Sequence, residues 1–248
     1  MSEDNIIEVE NLVKKFGNFT ANDNLTFTVK KSEIFGFLGA NGAGKTTAIK
    51  ILCGILFPTS GNVIVAGFDI YKERNIIKQN IGYMSQGFSL YEDLTVKENI
   101  EFYAGIYGVK RKEIKIRLDE LVDKLQIHDL KNKFVKDLPL GWKQKIAFSV
   151  AIFHKPKIVF LDEPTSGVDP ITRRQFWDLI YEAVESGITV FVTTHYMDEA
   201  EYCDRISIMV DGKIDAMGTP TELKTMYKAK NMDEVFVKLA RKQTEEIK

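Results

Sequence analysis

The sequence predicts an α/β fold built on a largely parallel sheet, and three observations carry that prediction. Short apolar runs alternate with helical patterns along the chain. A glycine-rich turn stands between one such run and the helix that follows it. A second run, IVFL at 158–161, is apolar throughout, as suits a strand buried on both faces. At 248 residues the chain can bury the core of one domain with a subdomain.

The elements follow in order. EIFGFLG at 33–39 reads as a strand running into a turn, and KTTAIKILCGIL at 45–56 as the helix it feeds. NVIVAG at 62–67 is another strand. From Thr95 the pattern changes. TVKENIEFYAGIYGV opens with a capping box, Thr95 followed by Glu98. KEIKIRLDELVDKLQI continues it, with Ile114, Leu118, Leu121, Val122 and Leu125 on one helical face. Residues 88–155 thus form a helix-rich insert between two α/β portions, about 1–87 and 156–219. The sheet resumes at KIVFLDE. The next helix, ITRRQFWDLIYEAVESG, has Phe176, Leu179, Ile180, Ala183 and Val184 at core spacing and Gly187 as its stop. ITVFVTTH is a strand, and RISIMVDGKIDAMG a hairpin turned on Asp211 and Gly212. The tail, 220–248, reads as short helices with a charged end.

Composition narrows the classes of function. Hydrophobic content of 44% and charged content of 28% fit a soluble globular protein. Lys+Arg 34 against Asp+Glu 35 leaves no basic excess for a nucleic-acid partner. No apolar run approaches the ~18–20 residues that span a bilayer, and MSEDNIIEVE lacks the basic-then-apolar pattern of a signal peptide. Cys53 and Cys203 lie far apart with no C-x-x-C pattern, which suits a reduced chain without a structural metal.

Two motifs carry chemistry. Gly39, Ala40, Asn41, Gly42, Ala43, Gly44, Lys45, Thr46 and Thr47 match G-x-x-x-x-G-K-[ST] between a strand and a helix. The glycines let successive N–H groups turn towards a phosphate chain, and the helix aims its positive end at the same anion. Lys45 is expected to reach the β- and γ-phosphates, and the Thr46 hydroxyl to hold Mg²⁺. In IVFLDEP, Asp162 and Glu163 emerge at the C-terminal end of a buried strand, where α/β sheets bind ligands. Asp162 is expected to hold Mg²⁺ through its water shell, and Glu163 to accept a proton from an attacking water.

The order GANGAGKTT, Gln86, LPLGWKQ, IVFLDEP, Asp169, His195 resembles an ATP-binding-cassette (ABC) ATPase subunit over nearly the whole chain. The resemblance implies a P-loop NTPase core with a mainly parallel sheet, an N-terminal antiparallel β subdomain and a helical signature subdomain. It implies that Gln86 senses Mg²⁺ and water at the γ-phosphate and links to the loop facing a membrane subunit. It gives His195 a switch role at the γ-phosphate beside the catalytic Glu163, and makes Asp169 a residue that crosses a dimer interface. Phe16 sits where the family places an aromatic that stacks on adenine.

One stretch departs from the pattern. The family signature is usually L-S-G-G-Q, whereas this chain reads Leu138, Pro139, Leu140, Gly141, Trp142. Proline brings neither hydroxyl nor N–H to the place of the serine. Two outcomes are open: a disabled site in an asymmetric pair, or a variant signature that works. Glu163 and His195 are both present, and LPLGWKQ is similar to the variant of bacterial ABC-2-type, multidrug-efflux-like exporters, so the expectation is a working site. The resemblance then implies two chains, expected to be identical, sandwiching two MgATP. It also implies membrane-spanning permease subunits gripped by residues 86–100, and a cytoplasmic place on the inner face of the membrane. A soluble non-transport ABC ATPase, a non-hydrolysing ATP-binding cassette and a small-molecule kinase are the competing expectations.

Overall fold

The computed structural model describes residues 4–87 and 90–246, so Phe88 and Ser89, at the expected start of the helical insert, lie outside the described residues. The chain opens with a long hairpin, β1 (Asn5–Phe16) and β2 (Phe19–Lys30). Its register shifts several times along β1, and Gly17 turns it with φ 58°. β3 (Ile34–Gly39) is buried at every residue and runs into the glycine-rich turn and α1 (Lys45–Leu52). This helix is shorter than the sequence pattern suggested, because Gly54 at φ 67° follows its C-cap Cys53. β4 (Ser60–Val65), β5 (Phe68–Asp69), α2 (Arg74–Asn80) and β6 (Ile81–Met84) follow.

α3 (Val96–Ile106) begins at the predicted capping box: the Glu98 amide donates to the Thr95 hydroxyl, and the Thr95 amide to the Glu98 carboxylate. α4 (Arg111–Leu125) buries Ile114, Leu118 and Val122, with Leu121 and Leu125 partly covered. α5 (Leu140–Ile152) completes the helical stretch. The sheet then resumes with β7 (Ile158–Asp162), α6 (Pro170–Glu185), β8 (Thr189–Thr194) and a 3-10 segment at Met197–Tyr202. β9 (Arg205–Val210) and β10 (Lys213–Gly218) form the hairpin over Asp211 and Gly212. α7 (Pro220–Met226) and α8 (Met232–Glu246) close the described residues. At 15 residues α8 is longer than the short tail helix expected.

Two sheets result. The larger has the order β10-β9-β3-β8-β7-β6, parallel from β9 to β6 with β10 antiparallel at one edge. The smaller, β2-β1-β4-β5, is antiparallel. The fold therefore has the parallel core that the sequence pattern predicted and the N-terminal antiparallel sheet that the resemblance implied. Among the described residues three buried clusters fill it: one between the sheets, one between the large sheet and α5, α6 and α8, and one within α3, α4 and α5. The large sheet brings the C-terminal ends of β3, β7 and β8 to one edge, and the candidate site lies there.

Candidate nucleotide-binding site

The turn after β3 is shaped by glycines in the left-handed region, one of which also has no room for a side chain. Gly42 and Gly44 have φ 85° and 98°, and a Cβ on Gly44 would lie 2.2 Å from the Ala21 carbonyl oxygen. The buried Asn22 donates from Nδ2 to the Gly44 carbonyl at 3.1 Å and ties β2 to the turn. No sequence motif marks Asn22. The amides in the first turn of α1 have no partner four residues earlier, so the helix presents N–H groups at this edge. Lys45 is almost fully buried. Its ammonium donates to the Gly39 carbonyl at 2.8 Å and the Ala40 carbonyl at 3.1 Å, and lies 3.4 Å from Glu163 Oε1.

β7 supplies the acidic pair. Asp162 and Thr193 are directly paired across the parallel β7–β8 ladder. The Thr193 hydroxyl donates to Asp162 Oδ1 at 2.8 Å, and the Thr46 hydroxyl donates to the same oxygen at 3.2 Å. The Thr193 hydroxyl also accepts the Glu163 amide at 3.0 Å, beside the Thr193 carbonyl at 3.1 Å. Glu163 has φ 50°, a left-handed conformation that costs a non-glycine residue about 1–3 kcal/mol and persists only where the surroundings impose it. The double grip of Thr193 is what imposes it here. Burial and the neighbouring Asp162 push the Tyr83 hydroxyl and the Cys53 thiol up, so both stay protonated beside the acidic pair.

The carboxylate of Glu163 is the meeting point of the cluster. Its Oε2 takes a hydrogen bond from Gln86 Nε2 at 3.2 Å and lies 3.0 Å from His195 Nδ1, while Oε1 faces Lys45. Four residues named from the sequence, Lys45, Gln86, Glu163 and His195, thus converge, with Thr46 and Asp162 alongside. Thr46 and Asp162 offer adjacent oxygen ligands, the donor type that Mg²⁺ takes.

The remaining candidates lie elsewhere. Phe16 ends β1 half exposed, with the Lys14 ammonium 4.9 Å over its ring. Pro139, Leu140, Gly141, Gly167 and Asp169 line a separate groove of about 370 Å³. Pro139 is the N-cap residue of α5, and its carbonyl accepts the Trp142 and Lys143 amides at 3.0 and 3.1 Å. A Cβ on Gly141 would lie 2.5 Å from Thr172 Cγ2, so the retained glycine is required by the close approach of α5 to α6. Leu138 is buried in the helical cluster. Lys143, in the first turn of α5, turns aside to pair with Glu92 at 2.9 Å. Asp169 caps α6: one oxygen accepts the Ile171 and Thr172 amides, and the other the Thr172 hydroxyl at 2.6 Å. The Thr172 hydrogen bonds, chiefly the hydroxyl, hold its carboxyl below the usual range.

This geometry can be set beside known proteins. The sequence profile described as ABC transporter matches residues 22–166, more than half of the chain. The chain belongs to the ABC transporter family. The cassette is 38% identical over 219 residues to the linearmycin resistance ATP-binding protein LnrL of Bacillus subtilis, covering 88% of this chain and 70% of that protein. It is 49% identical over 219 residues to the probable multidrug ABC transporter ATP-binding protein YbhF of Escherichia coli. There the match covers 88% of this chain but spans only 38% of the relative's length. Among solved structures, an ATP-binding subunit of an ABC transporter superposes with TM-score 0.85 at 27% identity, covering 95% of this cassette and 99% of that chain. A dimeric ATP-binding cassette in a post-hydrolysis state, bound to ADP and Pi, superposes with TM-score 0.77 at 26% identity, over 86% of this cassette and 98% of that chain. Among the described residues of this cassette, no helix is long and apolar enough to cross a membrane.

Proposed function

We propose that this cassette hydrolyses ATP and powers an export-type membrane transporter through the closing and opening of a dimer. The observation that carries the proposal is the convergence of Gln86, His195 and Lys45 on the Glu163 carboxylate. The amides of the glycine-rich turn and of the first turn of α1 bind the phosphates, and Lys45 moves from the Gly39 and Ala40 carbonyls to the β- and γ-phosphates. Thr46, Asp162 and Gln86 would hold Mg²⁺, which neutralises charge on the phosphate oxygens when bound. Glu163 takes a proton as a water oxygen bonds to the γ-phosphorus and the bond to ADP breaks. His195 holds the Glu163 carboxylate and contacts the γ-phosphate, and Phe16 stacks on adenine.

The signature groove around Pro139, Leu140 and Gly141 lies apart from this cluster in the same chain, which fits contact with nucleotide held by a second chain, with Asp169 at that interface. Helix dipole and first-turn amides at Leu140 and Gly141 stand in for the missing serine hydroxyl. Residues 1–87 and 156–219 act as the core, residues 88–155 as the part that carries the signature, and 220–248 as a tail. Separate membrane-spanning subunits hold the cassette on the inner face of the membrane, in line with the exporter names of its relatives.

Hydrolysis of MgATP measured against the concentration of the chain, with Glu163→Gln as the blank, tests this. Specific activity that rises with concentration and vanishes in the blank is the expected result. Activity equal to the blank at every concentration would overturn the reading of LPLGWKQ as a working signature in a pair of identical chains.

A further inference from the structure

Behind the catalytic cluster lies a second buried carboxylate that no motif marks. Glu199, in the 3-10 segment Met197–Tyr202, is fully buried. Its Oε1 accepts the Thr165 hydroxyl at 2.5 Å and lies 3.6 Å from Arg173 Nε of α6. Thr194 and Trp177 also flank the carboxyl. Thr165 is two residues beyond Glu163, and Thr194 is the residue before His195. Glu199 is therefore bonded, from behind, to the segment that carries Glu163, and it lies against Thr194 of the segment that carries His195. A second path runs over the surface of the same group. The Arg173 guanidinium lies 4.1 Å from the Tyr196 ring centroid, and that ring is 4.2 Å from the His195 imidazole.

We infer that Glu199 is a positioning residue that sets the spacing of Glu163 and His195 by holding Thr165, Thr194 and Arg173 in one bundle. A buried carboxylate is retained at a cost in desolvation, and here burial pushes its carboxyl up while Thr165, Thr194, Arg173 and Trp177 oppose that shift. A group used for packing alone gains nothing from such an arrangement over an apolar side chain of the same size. What the carboxylate adds is direction. It fixes the Thr165 hydroxyl and draws the Arg173 guanidinium towards it from 3.6 Å, and each adjoins one half of the 3.0 Å contact between His195 Nδ1 and Glu163 Oε2. The inference rests on the proposed roles of Glu163 and His195.

The test uses Thr165→Val, which removes the hydroxyl at constant shape, with Glu199→Ala and Glu199→Gln. Thr165→Val and Glu199→Ala are expected to lower kcat for ATP hydrolysis at least about 10-fold, since misplacement by an ångström can cost ~100-fold. KM for ATP should stay within about twofold. Glu199→Gln keeps an oxygen for the Thr165 hydroxyl and recovers most of kcat. Asp198→Asn, which breaks the exposed contact of Asp198 with Arg173, leaves kcat within about twofold of wild type. Histidine-labelled NMR gives a readout independent of turnover, because the chain holds three histidines. The His195 signals move in Thr165→Val and in Glu163→Gln, while those of His128 and His154 stay in place. Unchanged kcat with unmoved His195 signals in Thr165→Val and Glu199→Ala overturns the inference, as does an equal shift at all three histidines. Absence of turnover in the wild type would sink the proposed activity instead, and the His195 signals would still decide the positioning role.

Discussion

Thr193→Val removes one hydroxyl from the end of β8 while leaving the shape of the side chain nearly unchanged. Two partners lose it together. Asp162, 2% exposed, loses the donor at 2.8 Å, and the Glu163 amide is left with the Thr193 carbonyl alone. A hydrogen bond to a charged group contributes about 1.5–3 kcal/mol, and burial leaves no water to replace it. For a chain of this size each 1 kcal/mol shifts the melting midpoint by roughly 2–4 °C, so the loss is about 3–12 °C. Thr193→Ser keeps the hydroxyl and gives up one methyl group, about 1 kcal/mol or roughly 2–4 °C. Thermal unfolding followed by circular dichroism, without nucleotide, compares the three proteins. Hydrolysis should fall with stability in the valine variant, because Glu163 then leaves its left-handed conformation more readily. A valine variant that melts within about 1 °C of wild type, or a serine variant hurt as badly as valine, would refute the claim that this hydroxyl pins the acidic pair.

Other outcomes follow from the same geometry. Phe16→Ala should weaken ATP binding by about 1–3 kcal/mol, or ~5- to 150-fold, whereas Phe16→Tyr keeps the stacking face and stays close to wild type in calorimetric titration. Gly141→Ala forces a Cβ to within 2.5 Å of Thr172 Cγ2 and should cost about 1–3 kcal/mol of stability; adding Thr172→Ala opens the space and should recover most of it in chemical denaturation. His154 donates from Nε2 to the Ile81 carbonyl and stacks on Tyr107, and burial holds it down at about 4, below its ordinary 6.5. The unfolded chain therefore takes up this proton first, and stability falls as the pH drops from about 6.5 towards 4. The midpoint of the wild type should drop more between about pH 7 and about pH 5 than that of His154→Phe, which keeps the stacking.

The parts of the site that were legible in the sequence are those whose chemistry is local. GANGAGKTT carries its own strand, turn and helix start, and the Thr95–Glu98 capping box and the Asp211–Gly212 turn are each complete within four residues. The buried run 158–161 announced the strand that delivers Asp162 and Glu163. Thr193, Thr165, Glu199 and Asn22 were not legible, because each matters through a partner 22 to 34 positions away. A weak signal exists for Thr193: two threonines follow the apolar run Val190–Val192 at the edge where ligands bind. Trp177 fell outside the apolar face read for α6, yet it is fully buried, because Tyr202 packs over it from the following 3-10 segment. Asp169 was read for a contact between chains, and within one chain it is also the cap of α6, a role that the proline after it foreshadows. The opening hairpin was obscured because its register shifts break the alternation of apolar residues along β1.

α5 contributes to two cores at once. Ile146, Val150 and Phe153 at its C-cap belong to the cluster of α3 and α4, while Ala147, Phe148 and Ala151 belong to the cluster beneath the large sheet. Such a helix behaves as an axle clamped on opposite sides: it cannot spin without prying open one clamp or the other. It can slide or tilt only as an undivided rod, and the far end must follow. Its one end carries Leu140 and Gly141, and just past the other His154 reaches the Ile81 carbonyl at the start of β6. A nudge at either tip is therefore passed towards the opposite one through a single continuous helix.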